Sequence, residues 1–228
     1  MQVCSEFSKY AKEYSTYNII QNKVIDKLLS KVKWQPKHIL DLGCGSGSLV
    51  QKIEWEYKSF TGVDFAEGML KLHPRSESIQ CFHADFNDTS LFERLKGESY
   101  DIVFSASALQ WAKDLEETFK YIAKLETKVA FAIFTANTFK TLHKTALLPP
   151  LLRSKEEISL LARKYFNATL ELVEYTLEFE EKQEMFRYIK KSGVSGSRGV
   201  LSYKQTKELI RTYPLNYLEF EVLFIVSE

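Results

Sequence analysis

The stretch HILDLGCGSGSLV, residues 38–50, places three glycines within five positions directly after a short apolar run. Glycine is a costly choice beside a strand, because it loses more conformational freedom on folding than any other residue. The pattern therefore predicts a tight turn at a strand end, where another group comes very close to the backbone. The residues around the turn indicate what kind of ligand that group is.

Two phosphate-binding motifs fit this turn poorly. A P-loop needs a lysine directly after its last glycine, but the first lysine that follows is Lys52. Gly43, Gly45 and Gly47 form GxGxG rather than the GxGxxG of dinucleotide sites, and Asp41 stands just before them. A carboxylate at that strand end would oppose a pyrophosphate and attract an ammonium or sulfonium ligand.

Two more acids stand at the ends of the next apolar runs. Asp64 closes SFTGVD, and Asp85 closes SIQCFHAD with Phe86 beside it. A second-strand carboxylate can accept both ribose hydroxyls, while the third-strand acid can accept from an adenine amino group that Phe86 covers. Taken singly, Asp64 or Asp85 could equally be a helix N-cap. Together with Asp41 they favour S-adenosylmethionine over NAD.

Strands alternate with helical segments through the first 136 residues. The strand-like runs are 38–42, 59–64, 78–85, 100–106 and 128–135. This alternation predicts a parallel sheet covered on both faces, with the ligand beyond the carboxyl ends of its strands. We also expect helices over the first 33 residues and directly behind the glycines, and a capping box between Asp64 and Glu67.

The pattern changes after residue 136. Helical segments near 139–147 and 154–165 precede an alternating strand over 169–179. A helix near 180–191, the loop SGVSGSRG, a helix near 202–212 and a strand-like ending follow, which predicts late antiparallel strands at a sheet edge with helices over its open end.

Composition narrows the function classes. The 228 residues are 45% hydrophobic and 27% charged with a net charge of +1, which is typical of a globular chain and predicts no nucleic-acid or membrane partner. The three cysteines and four histidines are scattered without a metal-ligand spacing, so we expect no metal. No run approaches a membrane span, and the start lacks a signal-peptide core, so we expect a cytoplasmic monomer.

The segments LDLGCGSG and TGVDFAEGML resemble the first two motifs of class I S-adenosylmethionine-dependent methyltransferases. More narrowly, the chain resembles the malonyl-acyl-carrier-protein O-methyltransferases of biotin synthesis nearly end to end, through FSKYAKEYSTYNIIQ, SASALQW, FTANTFKTLH and YIKKSGVSGSR. The resemblance implies an α/β, Rossmann-like fold with a seven-stranded, mostly parallel sheet, helices on both faces and a helical lid. It implies one methyltransferase domain over 1–228, with a helical cap (1–33), a cofactor-binding core (34–136) and lid helices with the final strands (137–228).

The resemblance implies methyl transfer from S-adenosylmethionine to the free carboxylate of a malonyl thioester, carried by acyl carrier protein or coenzyme A. A carboxylate with a pKa near 4 is already ionised at neutral pH, so alignment and exclusion of water suffice without a general base. The alternatives are a methyltransferase for another small carboxylate or hydroxyl acceptor, a non-catalytic cofactor-binding protein and, least favoured, a dehydrogenase. Nucleic-acid amines are disfavoured, because no [DNS]PP[YF] element follows the fourth strand.

The resemblance assigns roles to individual residues. The expected cofactor-binding residues are Tyr14, Asp41, Gly43, Gly45, Gly47, Asp64, Phe65, Met69, Asp85, Phe86 and Ser105. Tyr14 covers the methionine end of the cofactor and is a catalytic candidate with Gln110 and Trp111, which border the transferred methyl group. An isolated tryptophan is, however, more often plain core. The expected substrate or carrier contacts are His143, Lys190, Lys191 and Arg198, although His143 and Lys190 could equally be surface or capping residues.

Charge counting singles out residues 187–211, which hold seven basic side chains against the single acid Glu208. Acyl carrier proteins are strongly acidic, so this basic segment predicts a surface that steers and holds them. The alternative is a pair of solvated helix faces. Arg198, in the Gly/Ser loop, could instead bind the substrate carboxylate itself.

Overall fold

The computed structural model describes residues 17–191 and 201–227. The strands in these ranges are β1 (His38–Leu42), β2 (Ser59–Asp64), β3 (Ile79–His83), β4 (Ile102–Ala106), β5 (Lys128–Phe134), β6 (Ala168–Glu178) and β7 (Tyr217–Ser227). They form one sheet in the order β3-β2-β1-β4-β5-β7-β6. The pairs among β1 to β5 are parallel, whereas β7 pairs antiparallel with both β5 and β6. The predicted mostly parallel, seven-stranded sheet is confirmed.

Helices pack on both faces of this sheet. Those described are α1 (Ile19–Lys31), α2 (Glu67–Leu70), α3 (Ser90–Leu95), α4 (Leu115–Ala123), α5 (Lys140–Thr145), α6 (Lys155–Tyr165), α7 (Lys182–Lys191) and α8 (Tyr203–Thr212). On one face, α1 buries Ile20, Val24 and Leu28 in a core that includes Phe104. On the other, α4 and α6 bury Phe119 and Ile158 among others.

The sequence of each strand matches its place in the sheet. The interior strand β5 is apolar on both faces and buried from its second residue onward, because helices cover both sides of the sheet there. The edge strand β6 alternates between half-buried and exposed residues along most of its length. Neighbouring register places Asp41 of β1 level with Gly62 of β2 and Phe104 of β4, so this acid lies inside the sheet.

Two local predictions were wrong. The segment behind the glycines forms only a short 3₁₀ helix, Val50–Lys52, rather than an α-helix. No capping box forms at α2, because the Asp64 carboxylate accepts from the backbone N–H groups of Gly45 and Ala66 instead. At the start of α4, Asp114 is the N-cap, since its side chain accepts from the Glu117 N–H at 2.9 Å.

Within residues 17–191 and 201–227, no helix is both long and apolar enough to cross a bilayer.

Candidate functional site

A cleft opens at the carboxyl ends of β1, β2 and β4, where the sequence predicted a ligand. Its walls come from the start of α1 (Asn18, Gln21), the glycine loop after β1, Asp64 and Phe65 after β2, and residues 106–108 after β4. Strand order reverses between β1 and β4, and ligands of open α/β sheets bind at such a switch point. The topology therefore places one cleft where three strand ends meet.

The three glycines of the loop have different neighbours. All three have positive φ, +81° at Gly43, +55° at Gly45 and +85° at Gly47. A Cβ at Gly43 would lie 2.2 Å from the Cβ of Ala108, and one at Gly47 would lie 2.5 Å from the Cδ of Pro74. At Gly43 and Gly47, therefore, the space beside the backbone is filled by other residues of the protein rather than by a ligand.

Gly45 faces the cleft. The nearest atom to a Cβ built there is the Met69 Cε at 3.5 Å, an ordinary contact distance. Its N–H donates to Asp64 Oδ2 at 2.8 Å, while Asp64 Oδ1 accepts from the Ala66 N–H at 2.7 Å. Burial raises the Asp64 pKa, and the two backbone hydrogen bonds oppose that rise. Asp64 therefore ties the glycine loop to the end of β2 and also borders the cleft.

Asp41 differs from Asp64 in its surroundings. Its side chain is 1% exposed, and no donor among the described residues reaches its buried Oδ1. Burial raises its pKa to about 7, with nearby Asp64 adding to the rise and His73 opposing it. A buried carboxylate that lacks partners is costly unless a ligand supplies them. Because Asp41 borders the cleft, its oxygen suits a cationic ligand group, as a sulfonium cofactor with an ammonium tail would present.

Two serines at the end of β4 have contrasting environments. Ser105 is fully buried, and its Oγ donates to the Leu42 carbonyl at 2.7 Å, which links β4 to β1. Ser107 borders the cleft with a φ of +65°, unusual for a residue other than glycine. Its buried Oγ has no hydrogen-bond partner within 17–191 and 201–227. Gln110 donates from Nε2 to the Ser107 carbonyl at 2.6 Å and so supports this turn from behind.

The structure brings most of the predicted cofactor residues to one place. Those that border the cleft are Asp41, Gly43, Gly45, Asp64, Phe65, Met69 and Phe86, together with Trp111. Trp111 ends a short 3₁₀ helix, Leu109–Trp111, that presents it to the cleft beside residues 106–108.

Several other predicted residues do not form the cleft wall. Gly47, Ser105 and Gln110 lie behind it, and Asp85 uses its Oδ1 to accept from both the N–H and the Nδ2 of Asn87, at 2.9 and 2.7 Å. His143 lies on α5, away from the cleft wall, where burial lowers its pKa.

The structure does not describe the side chains of four residues that were predicted to bind the cofactor, the substrate or the carrier. Tyr14 and Arg198 lie outside the described residues, and Lys190 and Lys191 belong to α7 without a described side-chain placement. Their roles stay predictions.

Sequence reasoning missed several residues of the wall. Asn18 and Gln21 are three positions apart around the first turn of α1. Both belong to the segment FSKYAKEYSTYNIIQ, which resembles the methyltransferase family, but the resemblance assigned no role to either residue. Ser107 lies inside SASALQW, but a serine in that position carries no signal by itself. A positive φ at a residue other than glycine is visible only in the structure.

Known methyltransferases resemble this chain in sequence and in fold. Residues 40–128 match the model of a family described as a methyltransferase domain. A malonyl-[acyl-carrier protein] O-methyltransferase of Acetivibrio thermocellus is 30% identical over 145 residues, which cover 60% of this chain and 50% of that protein. One of Bacillus cytotoxicus is 26% identical over 235 residues, covering 90% and 79% of the two chains. The chain thus spans about half the length of the first of these relatives.

Solved structures share the fold. A methyltransferase of Thermotoga maritima superposes with a TM-score of 0.57 at 14% identity, covering 98% of this chain and 99% of the other. A phosphoethanolamine N-methyltransferase of Haemonchus contortus, solved with S-adenosyl-L-methionine, gives a TM-score of 0.53 at 15% identity over 90% of this chain and 52% of that one. Likeness at this level of identity establishes the common architecture.

Proposed function

We propose that this chain, which carries an S-adenosylmethionine-dependent methyltransferase domain of the Rossmann-like class, transfers a methyl group to the free carboxylate of a malonyl thioester. The predicted cofactor is confirmed by the methyltransferase domain. The acceptor and a place early in biotin synthesis are our inference, supported by relatives that are 23–30% identical and are named malonyl-[acyl-carrier protein] O-methyltransferases.

The observation that carries the proposal is the buried, unpartnered Oδ1 of Asp41 in the same cleft wall as the open backbone of Gly45. S-adenosylmethionine supplies a methyl group on a positively charged sulfur, with an ammonium group nearby. Asp41 would balance that charge inside the cleft, and Asp64 has further lone pairs that can accept from ribose hydroxyls. Phe86 and Met69 offer the apolar surface that an adenine ring needs.

The acceptor side of the cleft would be formed by residues 106–111. Ser107 offers a buried hydroxyl that could donate to an acceptor carboxylate oxygen. Trp111 would exclude water from the reacting groups beside it. An acceptor carboxylate is already ionised, so the chain's own contribution is to hold it in line and keep the cleft dry. Nothing in this chemistry requires a general base.

The proposed partner is an acyl carrier protein, which the basic segment 187–211 would attract. Of its described side chains, Lys204 and Lys207 are exposed on α8, while Arg211 pairs with Glu208 at 3.0 Å. Long-range attraction of an acidic partner raises its association rate and weakens with salt.

The decisive experiment is methyl transfer from isotope-labelled S-adenosylmethionine to malonyl-acyl carrier protein, malonyl-coenzyme A and free dicarboxylic acids. We expect label on the malonyl thioesters, released by mild alkaline hydrolysis as a methyl ester requires. Transfer to the free acids alone would overturn the malonyl assignment in favour of another small carboxylate acceptor. Binding of the cofactor without transfer to any acceptor would overturn the enzyme assignment.

Docking is tested by reversing Lys204 and Lys207 together to Glu. We expect the kcat/KM for malonyl-acyl carrier protein to fall by about tenfold at low salt, while that for malonyl-coenzyme A changes much less. The matched control reverses Lys120 and Lys124, two exposed lysines around the end of α4. Equal losses on both acceptors, or an equal loss in the control, would contradict docking through α8.

A further inference from the structure

Three side chains from three separate segments, after β1, after α2 and within β3, meet near the glycine loop. Cys44, His73 and Cys81 each offer a potential ligand atom, and these atoms all lie within 4.8 Å of one another. Cys44 and His73 are buried, Cys81 is 9% exposed, and neither cysteine forms a disulfide. The two cysteines and the histidine have no part in the proposed methyl transfer.

A glycine in β2 leaves room for the two sulfur atoms of this cluster. Gly62 of β2 lies beneath both sulfurs, and a Cβ built on it would be 2.8 Å from the Cys44 Sγ and 3.0 Å from the Cys81 Sγ. The Cys81 Sγ lies 3.1 Å from the His73 Nδ1. The absence of a side chain at Gly62 therefore allows the two sulfurs to approach above β2, with the imidazole beside them.

We propose that Cys44, His73 and Cys81 bind a zinc ion. Zinc prefers thiolate and imidazole ligands in a tetrahedron, with bonds of about 2.3 Å to sulfur and about 2.0 Å to nitrogen. Such bonds require ligand atoms roughly 3.5 to 3.8 Å apart, so small side-chain movements complete the site. Binding releases the proton of each thiol, and a water molecule takes the fourth position.

The histidine has two nitrogens with different surroundings. The Nδ1 lies near Cys81 and also 2.8 Å from the Pro74 carbonyl, whereas the buried Nε2 has no partner among the described residues. The Nδ1 is therefore the ligand atom, and its bond to zinc replaces the hydrogen bond to Pro74. A metal would reach the site from the cleft, because Cys44 belongs to the cleft wall.

The cysteines and histidines do not have the close, paired spacing of common zinc-binding motifs, and for this reason the sequence predicted no metal. Cys44 follows β1, His73 follows α2 and Cys81 lies within β3. Their meeting depends on β2 lying between β1 and β3 with a glycine at the crossing.

The test uses the full chain, reduced with a phosphine that does not bind the metal, and titrated with Co²⁺ as a spectroscopic substitute for zinc. We expect one Co²⁺ per chain, a thiolate-to-cobalt charge-transfer band, and displacement of Co²⁺ by added Zn²⁺. Cys81→Ser and His73→Asn should each weaken Co²⁺ binding by about tenfold or more, whereas Cys4→Ser, the matched control, should not.

A measurement on the unchanged chain keeps the proposal falsifiable if those variants fold poorly. X-ray absorption of the zinc-loaded protein should contain two sulfur neighbours and one imidazole nitrogen. A shell of oxygen and nitrogen alone, a missing thiolate band, or a band that persists in both Cys81→Ser and His73→Asn would overturn the site. Loss of the band in Cys4→Ser would do the same.

Discussion

Two buried carboxylates, at the cleft end of β1 and in the middle of β7, show how burial produces opposite roles. Asp41 is 1% and Glu221 is 3% exposed. Glu221 accepts from the Thr135 hydroxyl and from Asn137 Nδ2, and its backbone exchanges hydrogen bonds with Thr138. Asp41 Oδ1 lacks any such donor among the described residues. A satisfied buried acid joins two segments of the fold, whereas an unsatisfied one at a cleft is available to a ligand.

The two serines at the end of β4 show the same contrast between a buried side chain with a hydrogen-bond partner and one without. Ser105 donates to the Leu42 carbonyl within the sheet, and Ser107 turns an unpartnered hydroxyl towards the cleft. The two serines therefore differ, as the two carboxylates do, in whether their side-chain oxygen has a partner among the described residues. We expect substitutions at Asp41, Glu221, Ser105 and Ser107 to separate the two kinds of buried polar group.

Glu221→Ala should lower the free energy of unfolding by about 3 kcal/mol, because it leaves the buried Thr135 hydroxyl without its acceptor and removes the partner of Asn137 Nδ2. Urea denaturation measures the loss. The affinity for S-adenosylhomocysteine, measured by calorimetry on the folded variant, should stay within about twofold of the parent. A large loss of affinity with little loss of stability would reverse the roles we assign to the two carboxylates.

Asp41→Asn should weaken S-adenosylmethionine binding by about 30-fold, or about 2 kcal/mol, because it removes the charge that balances the ligand cation. The same variant should be more stable than the parent at pH 8, by about 1 kcal/mol. The Asp41 pKa is about 7 when folded and 3.8 as a free side chain, so the folded parent loses stability as pH rises through that interval. Stability lower than the parent's at pH 8 would count against this account.

The affinity for S-adenosylhomocysteine should fall about tenfold between pH 8 and pH 6 in the parent, because Asp41 takes up a proton below its pKa of about 7. Asp64 and Cys81 also raise the Asp41 pKa, and His73 opposes them. Calorimetry across this range measures the slope, and Asp41→Asn serves as the control with a nearly flat profile. An equal slope in that variant would assign the effect to another group.

Ser105→Ala and Ser107→Ala form a matched pair with the smallest expected effects. Ser105→Ala should lose about 1 kcal/mol of stability and leave the acceptor KM unchanged, because its hydroxyl bonds only within the sheet. Ser107→Ala should keep its stability and raise the acceptor KM about fivefold. Thermal unfolding and steady-state kinetics separate the two, and an exchange of these outcomes would contradict the contrast at β4.

The sequence predicted more of the cofactor side than of the acceptor side. Asp41, Gly45, Asp64 and Phe86, which border the cleft, could be found because each lies near the end of a recognisable strand, and parallel strand ends meet at one edge of a sheet. Ser105 and Ser107 are both serines in one short segment, and no residue pattern distinguishes which of them faces inward. Only a 3₁₀ helix forms behind the glycines, where an α-helix was expected. The spacing of apolar residues along the chain carries no information about how much room the sheet leaves for a helix at that point.

Local patterns in the amino-acid sequence predict the alternation of strands and helices, the position of the glycine loop and a cationic ligand beside it. These follow from local chemistry: apolar period, turn residues and charge at strand ends. The tertiary structure alone decided which neighbour fills the space beside Gly43 and Gly47, and which buried polar groups remain without partners. It alone also placed Cys44, His73 and Cys81 together. Such facts depend on contacts between distant segments, which strand order and packing create and no local pattern encodes.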